Sequence, residues 1–150
     1  MAFSRWAVAF IGMILLAPVA MASRPGARYA GAPDDAGKTE FISVEDLKAK
    51  IAKNDPVVIL DLRNQSAYFE SDKKIKGSTF MRFRRLRARM ASTPHDKEVV
   101  TFCSCPADEA AIKGADLLRE YGFSRVKVLK GGWKAWLAGG GQTVPKPRNL

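Results

Sequence analysis

The sequence predicts an α/β domain built on a parallel sheet flanked by helices, and three observations lead there. Three short runs, 57-VVIL-60, 99-VVTF-102 and 126-VKVL-129, are mostly apolar and rich in β-branched residues, the pattern of strands buried on both faces. Between the last two lies 108-DEAAIKGADLLREYG-122, in which Ala111, Ala115, Leu118 and Tyr121 share one helical face and Gly122 supplies the stop. Strands separated by helices favour parallel pairing with right-handed crossovers.

The remaining elements follow in chain order. Arg5 is the only charge in the first 22 residues, and 6-WAVAFIGMILLA-17 is an uncharged run that leads to Ala20-Met21-Ala22. A short basic start, an apolar core and a small-x-small ending predict a secretory signal peptide over 1–22, cleaved after Ala22, and hence export to the periplasm. The alternative is a membrane anchor retained through residues 6–23, although those 18 residues fall short of the roughly 20 that span hydrocarbon. After cleavage no stable membrane span is expected. Residues 23–39, rich in Pro, Gly and Ala, read as a flexible linker, and 141–150 as a flexible tail. One folded domain over 40–140 fits the chain of 150 residues with 47% hydrophobic content.

Within that domain Phe41-Ile42 is a short apolar pair, and 43-SVED-46 resembles a capping box that opens a helix through about Ala52. Asn54-Asp55-Pro56 breaks the helix before the 57–60 strand, and 79-TFM-81 reads as a weaker strand. Trp133 and Trp136, three apart after Gly131-Gly132, read as helix residues packed on the sheet. The single histidine, His95, sits in a Thr-Pro-His-Asp turn and reads as a solvated loop residue rather than a base.

Charge narrows the partners. With 25 Lys/Arg against 15 Asp/Glu the net charge is +10, and the segment 73-KKIKGSTFMRFRRLRAR-89 holds eight basic residues and no acid. Arg84, Arg85, Arg87 and Arg89 would surround most of a helix, so several must be solvated. The segment is a solvated basic face or a rim for an anionic partner. Nucleic acid is not expected for an exported chain, and Phe80 and Phe83 read as core anchors.

Both cysteines fall in 101-TFCSCPADEAA-111, where a strand ends and a helix begins. Sites in parallel sheets form at such carboxyl ends. A thiolate here would meet unpaired backbone N–H groups and the positive end of the helix dipole, which stabilise an anion.

The segments 58-VILDLRNQSAYFE-70, 75-IKGSTFM-81, 99-VVTFC-103, 117-LLREYGF-123 and 128-VLKGGWKAWLAGG-140, in that order, resemble the rhodanese-like (sulfurtransferase) domain over roughly 40–140. The resemblance implies a five-stranded parallel sheet flanked by helices, with a sulfur-carrying cysteine on the loop after the fourth strand, here Cys103. Asp61 and Arg63 read as a structural pair that fixes the loop near the site.

The loop departs from the family pattern, which offers Gly and a cation to an anionic donor. Here Cys103 is followed by Ser104, Cys105, Pro106, Ala107, Asp108 and Glu109. Pro106 lacks an N–H, and a carboxylate about 6 Å from a bound anion costs roughly 0.7 kcal/mol in water and about 2.8 kcal/mol at an effective dielectric near 20. Thiosulfate is therefore expected to be an inefficient donor. Cysteine-dependent phosphatases and arsenate reductases need an Arg six positions after the Cys, where this chain has Glu109 or Ala111.

Three readings remain. In the first, Cys103 carries a persulfide taken from a small sulfur-containing donor or a partner-protein thiol, and Cys105 resolves it. In the second, Cys103 and Cys105 form a redox disulfide, whose three-residue ring contributes only about 1.6 kcal/mol and makes a better switch than staple. The third is a catalytically silent binding module. No cofactor is expected; a two-thiolate site for Cu(I) or another soft metal is a fourth, chemically allowed reading, set below the others because a clear third ligand is lacking.

Overall fold

A computed structural model describes residues 38–147, so the segment 1–22 expected to be a signal peptide, nearly all of the expected linker 23–39 and the last three residues lie outside the described residues. The elements run β1 (Phe41–Ile42), α1 (Val44–Ala52), β2 (Val57–Asp61), α2 (Gln65–Glu70), β3 (Lys73–Ile75), β4 (Thr79–Phe80), α3 (Leu86–Met90), β5 (Glu98–Phe102), α4 (Glu109–Glu120), β6 (Val126–Leu129), α5 (Gly132–Ala138) and β7 (Thr143–Pro145). Single 3-10 turns at Phe83–Arg85 and Pro106–Asp108 lead into α3 and α4.

The main sheet has five parallel strands in the order β1-β6-β5-β2-β4, the fold class expected from the sequence. Every residue of β5 is buried, because helices cover both faces of this central strand. On one side Leu60, Leu62, Val99, Val126 and Val128 pack with Leu86 and Met90 of α3 and Ala111, Ala115 and Leu118 of α4. On the other, Ile59, Val100, Phe102 and Leu129 pack with Val44 and Leu47 of α1 and Trp133 and Trp136 of α5. Both tryptophans are packing residues, as their spacing suggested. Tyr121 is only partly buried at the edge of its cluster.

Local signals explain the termini. Ser43 caps α1, its Oγ accepting the Asp46 N–H at 3.0 Å, and Asn64 caps α2 through the Ala67 N–H at 2.7 Å. The register of β2 on β5 runs from Val57 opposite Glu98 to Asp61 opposite Phe102. It brings the Asp61-Leu62-Arg63 turn out beside the cysteine loop.

Three expectations need correction. The tail is not free after Gly140: β7 pairs antiparallel with β3, Lys146 N donates to Asp72 O at 3.0 Å, and Lys146 Nζ donates to Tyr68 O and lies 4.4 Å from the Tyr68 ring centroid. Phe83 is no core anchor but 45% exposed, whereas Phe80 stacks on Tyr68 at 3.9 Å. His95 is half-buried, its ring 4.7 Å from that of Phe123. Among the described residues no helix is long and apolar enough to cross a membrane.

A chain ended at Gly141 loses the β3–β7 pairing, worth about 1 kcal/mol or more. Calorimetry should show Tm lower by about 4 °C or more, where a free tail would leave it unchanged.

Candidate active site

The site lies at the carboxyl ends of β2 and β5, where the chain passes from Phe102 through the cysteines into α4. Cys103 and Cys105 are joined as a disulfide with Cα atoms 5.7 Å apart. The two sulfurs have different surroundings. Cys103 is 1% exposed, in the cluster with Leu62, Ala111 and Ala115, whereas Cys105 is half-buried and lines a cleft. The main-chain donor expected at Cys103 belongs to Cys105: its Sγ accepts the Ala110 N–H, in the first turn of α4, at 3.3 Å.

The loop is clamped from the side. Cys103 O accepts the Trp133 N–H at 2.8 Å, and Asp108 Oδ2 accepts the Gly131 N–H at 2.8 Å. Ala107 and Asp108 both adopt left-handed backbone, at φ 51° and 56°, which disfavours residues with a Cβ by roughly 1–2 kcal/mol each. The turn sends the Asp108 carboxylate inward, leaving the residue 8% exposed. This corrects the electrostatic expectation. Asp108 serves the start of α5, and neither it nor the exposed Glu109 lines the cleft.

The cleft, of about 780 Å³, is lined by Leu62, Phe80 and Phe83 among apolar residues and by Arg63, Arg82, Arg84 and Lys113, with no carboxylate. Arg82, Arg84 and Lys113 are exposed, so the basic segment splits. Two of its arginines reach the cleft, while Arg87 lies over the Tyr121 ring at 5.2 Å. Ser104, Cys105 and Pro106 line the cleft from the loop, and Ala107 is solvent-exposed beyond it.

Asp61 and Arg63 form the structural pair expected. Arg63 Nη2 donates to Asp61 Oδ2 at 2.7 Å and Nε to Oδ1 at 3.0 Å, with both side chains fully buried. The guanidinium carbon sits 4.2 Å from the Trp133 ring centroid and 5.1 Å from that of Tyr68. Nη1 has no hydrogen-bond partner among the described residues. Burial, helped by Asp61 and opposed by Arg63, raises the Tyr68 phenol above its ordinary 10.0, so it stays neutral at physiological pH. No group of three or more His, Cys, Asp or Glu placed to hold a metal occurs among the described residues.

Two contributors escaped sequence reading. The cation Lys113 lies on α4, and only the fold brings it to the cleft beside Arg82 and Arg84 of the basic segment. The clamp depends on Gly132, whose φ is +51° and where a Cβ would meet Cys103 O; the Gly-Gly-Trp sequence was its visible trace.

The chain belongs to the rhodanese-like family, whose domain matches residues 43–139. It is similar to the Alr3790 protein from Anabaena sp., at 31% identity over 70% of this chain and 82% of that one, TM-score 0.62. It is similar to the BH2092 protein from Bacillus halodurans at 25% identity over 71% and 77%, TM-score 0.63. It shares its fold with a thiosulfate sulfurtransferase from Pseudomonas aeruginosa at 18% identity, over 71% of this chain and 20% of that one, TM-score 0.62. No curated protein matches. Family membership supports a sulfurtransferase-type protein or a binding module.

Two stability predictions follow from this geometry. Asp61→Ala strands a buried guanidinium and should cost about 3–5 kcal/mol in urea denaturation, while Asp61→Leu with Arg63→Met recovers most of it. Gly132→Ala and Gly77→Ala both place a Cβ on left-handed backbone, but only at Gly132 is the space taken. The Gly132 variant should therefore lose more than the roughly 1–2 kcal/mol expected of Gly77→Ala.

Proposed function

We propose that the protein is a sulfur carrier that rests oxidised and works through its cysteine pair. A thiol opens the Cys103–Cys105 disulfide, and a second thiol completes reduction. Opening the bond must also bring the Cys103 thiolate, 1% exposed in the closed form, to the cleft. There it takes the outer sulfur of a persulfide donor, R–S–SH, releasing R–S⁻ and becoming a persulfide itself. Attack of the Cys105 thiolate on the inner sulfur expels hydrosulfide and closes the disulfide again. The cycle balances: two thiols are oxidised to a disulfide, and the donor's sulfane sulfur is reduced to sulfide. Delivery by export through residues 1–22 to an oxidising periplasm favours the closed form at rest.

One observation supports this reading: the pair follows β5, where the family resemblance implies the sulfur-carrying cysteine, and is bonded to itself and open to a cleft on one side. The electrostatic ground for expecting thiosulfate to be a poor donor is removed, since Asp108 and Glu109 do not line the cleft and Arg82, Arg84 and Lys113 do. What remains against it is a loop with no cation of its own and no N–H at Pro106. The burial of Cys103 favours a second reading, a silent binding module.

Intact mass separates the two. Reduced Cys105→Ser incubated with glutathione persulfide should gain one sulfur atom, and Cys103→Ser none. The reduced wild-type chain should release hydrosulfide and lose the mass of two hydrogens as the disulfide closes. No sulfur on Cys105→Ser and no hydrosulfide from wild type would leave the binding module.

A further inference from the structure

We infer that Cys105, not Cys103, is the sulfur at which an external thiol enters the oxidised site, and that the cleft selects a small thiol carrying an anionic group. The inference names the co-substrate of the opening step above and rests on that step alone. Exchange requires a thiolate to approach one sulfur in line with the S–S bond, so access decides which sulfur is attacked. Cys103 is closed off at 1% exposure, whereas Cys105 lines the cleft.

Access alone favours the first step, which leaves its anion on the buried Cys103, while the product of the second step suits its surroundings. The thiolate R–S⁻ bonds to Cys105 Sγ, the S–S bond breaks, and its electron pair leaves on Cys103 as a thiolate. A second R–S⁻ then attacks the external sulfur of the mixed disulfide, giving R–S–S–R and the Cys105 thiolate. That last anion is left where Ala110 N–H already points at 3.3 Å, at the start of the twelve-residue helix α4. A helix start lowers a thiol's pKa and makes it a better leaving group.

Charge selects the reagent. Arg82, Arg84 and Lys113 are exposed cations on the cleft lining, no carboxylate joins them, and Asp108 is turned to Gly131. Leu62, Phe80 and Phe83 supply apolar wall for a short carbon chain. A cleft of one charge sign raises the encounter rate of an opposite ion by about tenfold or more at low salt, and added salt removes the gain.

The test uses the oxidised full chain with two thiols of similar size and opposite charge, mercaptoethanesulfonate and cysteamine, with rates compared per thiolate. Acid quenching and alkylation followed by fragment mass spectrometry should place the sulfonate adduct on Cys105 and the alkyl group on Cys103. At low salt the sulfonate should open the disulfide about tenfold faster or more, and high salt should bring the two rates together. Replacing Arg82, Arg84 and Lys113 by Gln should abolish the preference, while Arg87→Gln with Arg89→Gln, off the cleft, should keep it. An adduct on Cys103 overturns the point of entry. Equal rates at low salt, or a preference that survives the triple replacement, overturn the reagent class. No sulfur donor is present, so failure of sulfur transfer leaves this result standing. A wrong point of entry, in turn, leaves sulfur loading of Cys105→Ser intact.

Discussion

The cysteine loop owes its shape to a helix that is distant in sequence. The start of α5 docks against the end of β5 through Trp133 N–H to Cys103 O and Gly131 N–H to the Asp108 carboxylate. These two bonds fix both ends of a loop that contains a proline and two left-handed residues and would otherwise have little reason to hold one conformation. With the carbonyl of Cys103 tied back, its side chain faces the α4 side of the sheet among Leu62, Ala111 and Ala115. Cys105, two residues on, is carried out to the cleft. The chemical inequality of the two sulfurs follows from this clamp.

A second constraint supports the first. The Asp61–Arg63 pair lies in the apolar interior, with the guanidinium packed on Trp133, the residue whose N–H holds Cys103 O. Desolvating two charges is expensive unless geometry and hydrogen bonds offset it. Here two side-chain bonds and an aromatic face provide the offset. The pair thus links the carboxyl end of β2 to α5, and α5 to the cysteine loop, as one contiguous support.

Much of this architecture was legible in the sequence because it was written in burial. The apolar runs at 57–60, 99–102 and 126–129 became β2, β5 and β6, and the face of Ala111, Ala115 and Leu118 became the buried side of α4. The unread parts lack such a signal. Helix α2 is six residues long with Tyr68 its only buried side chain, too short for a period to show. Strands β3 and β7 are short, carry lysines and a proline, and pair only with each other. At the site, the position of the cysteines could be read, but not which sulfur is buried. Nor could the inward turn of Asp108, since left-handed backbone at Ala107 and Asp108 has no glycine to announce it.

The account's central claim is that Cys103 and Cys105 form a working couple rather than a fixed staple or two inert thiols. The most direct measurement is an equilibrium titration of the folded full chain in glutathione buffers of graded redox poise, following free thiols and near-ultraviolet circular dichroism together. The account predicts one reversible two-electron transition within the range those buffers span, with the fold retained on both sides. A pair that stays oxidised until the chain unfolds, or that remains reduced throughout, would contradict it.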